Sequence, residues 1–199
     1  MSMIISNHIS RGALALLLGA CTHSRARDAS APATRSEFSA YDAGGAWRDQ
    51  TGAATTLGSL RGTPTVIALM YAHCSSSCPI ALAAMKRVAA EAPRVHFVLV
   101  SLDPQRDTPG ALAMYAREHA LSPARWTLLS GTDADVRALA AVLDVRYRRL
   151  SNDDVAHANV LTLVDATGAV VRQQAGFAGT DDTIRAAQQL VAQLETTHP

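Results

Sequence analysis

Thr65 to Tyr71 (Thr-Val-Ile-Ala-Leu-Met-Tyr) is an unbroken apolar run between Gly62-Thr63-Pro64 and a segment of cysteines and serines. A short run of this kind predicts a β-strand buried on both faces. Val95 to Leu102 predicts a second. Between them Pro79 suits a first helical turn, and Ile80, Ala84 and Val88 then share one face. Thr108-Pro109 reads as the N-cap and first position of a helix carrying Leu112, Tyr115 and Ala116. Trp126 to Leu129 is a short apolar segment. Thr132 then caps a third helix, with Asp133 and Asp135 in its first turn and Val136, Leu139, Ala140 and Leu143 on one stripe. Val160 to Val164 and Ala169 to Gln173 flank Asp165-Ala166-Thr167-Gly168, a hairpin turn with glycine where φ > 0 is wanted. A last helix from about Thr180 aligns Ile184, Ala187, Val191 and Leu194.

Strand–helix–strand–helix, then a hairpin and a closing helix, predicts an α/β, thioredoxin-like fold: a central mixed sheet flanked by helices. Trp47 to Gly52 and Leu57 to Arg61 read as a preceding hairpin, an N-terminal extension of that fold.

A chain of 199 residues, 48% hydrophobic and 18% charged, holds one domain of ordinary size plus tails. Net charge is +1 and no Lys/Arg cluster occurs, which excludes an electrostatic footprint for nucleic acid. The N-terminus changes the picture more. His8 and Arg11 precede a brief apolar stretch, Gly12 to Ala20, that ends at Cys21. That is the layout of a secretory signal peptide, far short of the roughly 20 apolar residues a spanning helix needs. Leu18-Gly19-Ala20-Cys21 also resembles a bacterial lipobox, which implies lipidation of Cys21 and, with Thr22 following, leans toward the outer membrane. Several acyl chains make a stable membrane anchor. The expected organisation is a lipoprotein-type signal peptide at 1–21, a flexible Ala/Ser/Arg/Thr tether at 22–37 and the folded domain at 38–199, held in the bacterial periplasm.

The other two cysteines, Cys74 and Cys78, stand between the first long strand and Pro79. A helix N-terminus carries unpaired N–H groups and partial positive charge, so a thiol placed there ionises more easily. Thiolate attacks disulfides and binds soft metals, so the pair suits either redox exchange or a metal. In an oxidising compartment it tends to close into a Cys74–Cys78 disulfide, and work in the reduced state then needs a periplasmic thiol reductant. Three serines separate the thiols, where thioredoxin-like oxidoreductases have two residues. Those enzymes also carry a proline before the facing strand, and here Ala158-Asn159 occupies that place. What stands nearby is His157. Two thiolates and a neutral imidazole make a soft three-coordinate set suited to Cu(I), with room for Cu(II) if a further ligand joins. His73 is the nearer rival in sequence, but adjacent strand residues point to opposite faces. His96 and His119 are expected to be exposed.

Several blocks together resemble the Sco/SenC family of thioredoxin-like copper-binding factors that help assemble cytochrome c oxidase. They are Tyr71-Ala72-His73-Cys74-Ser75-Ser76-Ser77-Cys78-Pro79, Val100-Ser101-Leu102-Asp103-Pro104-Gln105-Arg106-Asp107-Thr108-Pro109, Trp126-Thr127-Leu128-Leu129-Ser130-Gly131-Thr132, and His157 ahead of Leu163-Val164-Asp165-Ala166-Thr167-Gly168. The resemblance implies that Cys74, Cys78 and His157 bind copper. It also implies that the recipient is the copper-bearing subunit of an apo cytochrome c oxidase. It allows, as an alternative, a thiol–disulfide reductase in which Cys74 and Cys78 keep that subunit's cysteine pair reduced. Asp103, Arg106 and Asp107 match the family's acidic–basic loop, expected to form a turn and a helix cap. The family usually has aspartate just before the histidine, where this chain has Ala156, with Asp153 and Asp154 close enough to substitute.

Overall fold

The positions that read as central strand are buried at every residue, and the architecture follows from them. A computed structural model describes residues 39–74, 78–150, 155–176 and 178–197. The expected signal segment, tether and Cys21 lie outside the described residues. The elements in chain order are β1 (Trp47–Arg48), β2 (Ala54–Thr55), β3 (Thr65–Met70), α1 (Cys78–Glu91), β4 (His96–Ser101) and α2 (Pro109–Glu118). Then come β5 (Trp126–Leu129), α3 (Asp133–Val142), β6 (Tyr147–Arg149), β7 (Val155–His157), β8 (Val160–Val164), β9 (Val170–Ala175) and α4 (Thr180–Thr197).

Five strands form one sheet in the order β5-β4-β3-β8-β9. β3 pairs parallel with β4 and antiparallel with β8, β4 parallel with β5, and β8 antiparallel with β9. This is the expected thioredoxin-like mixed sheet, with β3 at its centre. All six β3 residues are buried because both faces are covered, which is why the strand reads as a continuous apolar run. Phe97 of β4 is fully buried and stacks on Trp126 of β5 at 4.6 Å between ring centroids. Burial of one such ring stabilises by about 1.5–3 kcal/mol.

Local signals set the helix ends. Thr108 caps α2 by accepting the Ala111 N–H, with Pro109 next in line. Thr132 and Asp135 form a reciprocal capping box at α3. The buried stripes of α2 and α3 are the expected ones, Leu112, Tyr115 and Ala116, then Val136, Leu139 and Ala140, with Leu143 buried at the α3 C-cap. In α1 the stripe is rotated from the expectation. Cys78, Leu82, Ala84, Met85 and Val88 are buried, whereas Ile80 is 42% exposed. The thiol of Cys78, not Ile80, faces inward in the first turn.

The N-terminal hairpin also differs in detail. β1 pairs with β2, and Leu57–Leu60, expected as the second strand, is a 3-10 turn that buries Leu57. β1 in turn meets the edge of the main sheet, with Arg48 and Ser130 exchanging backbone hydrogen bonds of 2.8 and 2.9 Å. The Gln50 side chain continues that contact. Its amide donates to the Trp126 carbonyl at 2.9 Å and its oxygen accepts the Leu128 N–H at 2.9 Å. Trp47 lies against Gly131 so closely that a Cβ there would sit 2.7 Å from its ring.

Candidate metal centre

The site lies where β3 ends and α1 begins. After Met70 the chain runs through Tyr71, Ala72 and His73 to Cys74, whose N–H donates to the Tyr71 carbonyl at 3.1 Å. Cys78 is the first residue of α1. The three intervening serines lie outside the described residues. The opposing wall is β7, paired antiparallel with β6 as a separate two-stranded sheet in which His157 faces Tyr147. Ala158 and Asn159 link β7 to β8, so the histidine stands just before the strand that neighbours β3.

One donor atom from each of Cys74, Cys78 and His157 lies within 4.8 Å of the other two. Cys78 Sγ is 3.8 Å from His157 Nε2. Sulfur and nitrogen donors sit about 2.0–2.3 Å from a bound ion, so a shared ion needs donor separations of roughly 3.5–4 Å. Closing the remaining gap takes a movement of about 1 Å, within the reach of side-chain rotation. Cys74 is 9% and Cys78 3% exposed, while His157 is half-buried. Both cysteines are thiols in the structure, not a disulfide. Two soft sulfurs and an imidazole, largely screened from water, fit a soft ion.

The protonation of the pair departs from the expectation that a helix N-terminus favours thiolate. Burial, helped by the neighbouring Cys74 sulfur, pushes the Cys78 thiol up to about 12. Desolvation therefore outweighs the helix dipole here. Burial also raises the Tyr115 hydroxyl, with the two cysteine sulfurs adding to the shift.

His157 Nδ1 is buried without a hydrogen-bond partner among the described residues. Asp153 and Asp154, expected as substitutes for a carboxylate at Ala156, lie outside those residues. The ring does pack edge-on against Tyr71, centroids 5.9 Å apart. Tyr71 packs in the same manner against His73 at 5.3 Å.

His73 meets the acidic loop. Its imidazole lies 3.4 Å from Asp103 and 3.7 Å from Asp107. His96 and His119, expected to be exposed, are half-buried. The first hydrogen-bonds Thr127 at 2.8 Å and the second packs on Tyr115 at 4.3 Å.

The acidic–basic loop forms its turn, with the Asp103 carbonyl accepting the N–H groups of Arg106 and Asp107 at 3.1 and 2.9 Å. The helix cap is Thr108, not an aspartate. The carboxylates instead carry tertiary bonds that the sequence did not announce. Asp103, 2% exposed, binds Arg106 and Arg149. Burial would raise its pKa, but the hydrogen bonds from Arg106 and Arg149 outweigh it and hold the group below the usual carboxylate range. Asp107 is shifted the other way. Burial raises it, against hydrogen bonds from Ser101 and the Ala72 N–H.

Comparison with known proteins adds the relationships. The SCO1/SenC family model matches residues 34–194. The SCO1 protein homolog of Bacillus subtilis (strain 168) is 28% identical over 147 residues, 69% of this chain and 76% of that protein. The structure of BsSco, described as a member of the Sco family of cytochrome c oxidase assembly proteins with a disulfide switch, superposes with a TM-score of 0.63. The two share 26% identity over 72% of this chain and 89% of that one. Arabidopsis thaliana ScoI with copper bound shares the fold, with a TM-score of 0.63 and 22% identity over 74% of this chain and 95% of that one. A single family match thus runs from before the N-terminal hairpin into α4, across both cysteines and His157, and the chain belongs to the SCO1/SenC family.

Proposed function

We propose that this chain is a copper-binding metallochaperone that delivers its cargo to the copper-bearing subunit of an apo cytochrome c oxidase, with Cys74, Cys78 and His157 as the ligands. The observation that carries this reading is the convergence of three soft donors within 4.8 Å from segments remote in sequence. A fold built only for thiol exchange has no need of the third. The copper-bound plant relative and the assembly role of BsSco support the same reading. Loading Cu(I) replaces thiol protons with the metal, and the imidazole completes the set. A signal segment at 1–21, lipidation at Cys21 and a tether at 22–37 would hold the domain at the periplasmic face of a membrane. No helix among the described residues is long and apolar enough to cross one.

Anaerobic competition of the reduced chain against a Cu(I) chelator tests the proposal. One Cu(I) per chain is expected. His157→Ala should weaken binding beyond the 10–100-fold typical of losing a supporting group, while leaving the Cys74–Cys78 midpoint potential nearly unchanged. Full affinity in the variant sinks the three-ligand site.

A second reading uses the same cysteines as a thiol–disulfide reductase. A Cys74 thiolate attacks a partner disulfide, Cys78 then displaces the mixed disulfide, and the partner leaves with two thiols while a Cys74–Cys78 disulfide forms. The disulfide switch described for BsSco favours it. A wild-type chain that holds no copper above background but reduces a cysteine pair in the oxidase subunit would establish this reading in place of the first.

A further inference from the structure

The half of the site that carries His157 is attached to the rest of the molecule in an unusual way. Among the described residues, β6 and β7 pair only with each other, outside the five-stranded sheet. A two-stranded ribbon is marginal by itself and takes its position from what anchors it. A ligating histidine is ordinarily oriented by a bond to its second ring nitrogen. Nε2 stands where the β7 strand carries it, beside Cys78 and against the Tyr71 ring.

Arg149 closes that ribbon opposite Val155, two residues from His157. Its guanidinium donates to Asp103 Oδ1 at 3.2 Å, to the Leu102 carbonyl at 3.3 Å and to Asp133 Oδ1 at 3.2 Å. From Asp103 a polar chain continues into the core. The Asp103 N–H donates to Ser101 Oγ at 2.9 Å, and the Ser101 hydroxyl donates to Asp107 Oδ2 at 2.5 Å. Asp107 Oδ2 then accepts the Ala72 N–H at 3.0 Å, two residues before Cys74. Asp103, Ser101 and Asp107 are all at most 2% exposed. Exposed ion pairs contribute little to stability, but one that ends in a buried hydrogen-bonded network fixes geometry.

We infer that Arg149 is a positioning residue, and that the chain Arg149–Asp103–Ser101–Asp107 is a strut holding the His157 ribbon in register with the cysteine loop. The inference rests on the copper reading for its significance, but the strut can be observed without metal. A planar guanidinium bridging two carboxylates and a carbonyl cannot be replaced by a point charge without loss.

The test uses the full reduced chain with Arg149→Met, which keeps the aliphatic stem, and Arg149→Lys. Asp133→Asn removes one exposed partner and serves if the arginine variant folds poorly. Arg185→Met on α4 is the control. In metal-free protein, the His157 ring resonance in NMR should shift in Arg149→Met, shift less in Arg149→Lys and Asp133→Asn, and stay in place in Arg185→Met. Cu(I) affinity should fall roughly 10–100-fold in Arg149→Met, with the Cys74–Cys78 midpoint potential unmoved. A wild-type His157 resonance together with wild-type copper affinity in Arg149→Met overturns the inference. If the wild-type chain binds no Cu(I), the copper reading fails by itself, and the resonance alone decides the strut.

Discussion

Cys78 Sγ and His157 Nε2 stand 3.8 Å apart although 79 residues separate them in the chain. The contact exists because β3 and β8 are antiparallel neighbours, so the loop leaving one strand meets the loop entering the other. Cys74 lies only four residues from Cys78, so the two sulfurs stay neighbours in an unfolded chain, whereas His157 joins them only on folding.

Copper should therefore stabilise the native state, which offers three donors, over the unfolded one, which keeps only the cysteine pair. At free Cu(I) near 100 times its dissociation constant, mass action adds at most about 2.7 kcal/mol, less what the cysteine pair gains by binding copper in the unfolded chain. For a chain of this size that raises Tm by at most about 5–10 °C. Anaerobic calorimetry with buffered Cu(I) checks it, and an unmoved Tm in wild type beside a similarly unmoved Cys78→Ser variant would count against the site.

The raised Cys78 thiol predicts slow alkylation. With a pKa of about 12, only on the order of one Cys78 in ten thousand is thiolate at pH 8. In a Cys74→Ser chain, Cys78 should react with iodoacetamide at least about 100-fold more slowly than an exposed thiol. Urea unfolding should abolish the difference. Peptide mapping by mass spectrometry reads both rates, and comparable rates would show that burial does not control this sulfur.

Asp103 predicts an acid limb in the stability curve. Its folded pKa is depressed, so the stabilisation it brings is present above the ordinary carboxylate pKa of about 3.9 and is lost as pH falls below that through the folded value. Asp103→Asn should lower Tm at pH 7 and flatten its decline below about pH 4. Parallel thermal melts from pH 7 to pH 2.5 make the comparison, and two curves of the same shape would contradict the assignment.

Gly131→Ala should cost about 1–3 kcal/mol, because the added methyl group would meet the buried Trp47 ring at 2.7 Å. Urea titration followed by Trp fluorescence measures the loss. Copper affinity of the folded protein should not change, since the contact holds the N-terminal hairpin and touches none of the three donors.

The sequence exposed what depends on near neighbours. Six consecutive buried residues in β3, the Thr108 cap and the Thr132–Asp135 capping box each carry their signal within a few positions. The cysteine pair and the histidine ahead of β8 were legible once that order of elements was read. The β6–β7 ribbon was not, because Tyr147-Arg148-Arg149 is short, polar and lacks a buried alternation. Leu57 looked like strand because a buried leucine in a 3-10 turn has no periodicity to distinguish it. Ile80 reads as core from its position in the stripe, but Cys78 takes the inward direction in that turn and leaves it exposed. Arg149 meets Asp103 across 46 positions, and no local pattern encodes such a bond.

Gln50 has a consequence for assembly. By bonding both the Trp126 carbonyl and the Leu128 N–H, it behaves as a surrogate strand residue along the open side of β5, and β1 continues the closure at Ser130. Main-chain groups that would template another polypeptide are thus already engaged on that flank. Lengthening of the sheet by a visiting β-segment is blocked there, and an incoming protein must approach through side chains.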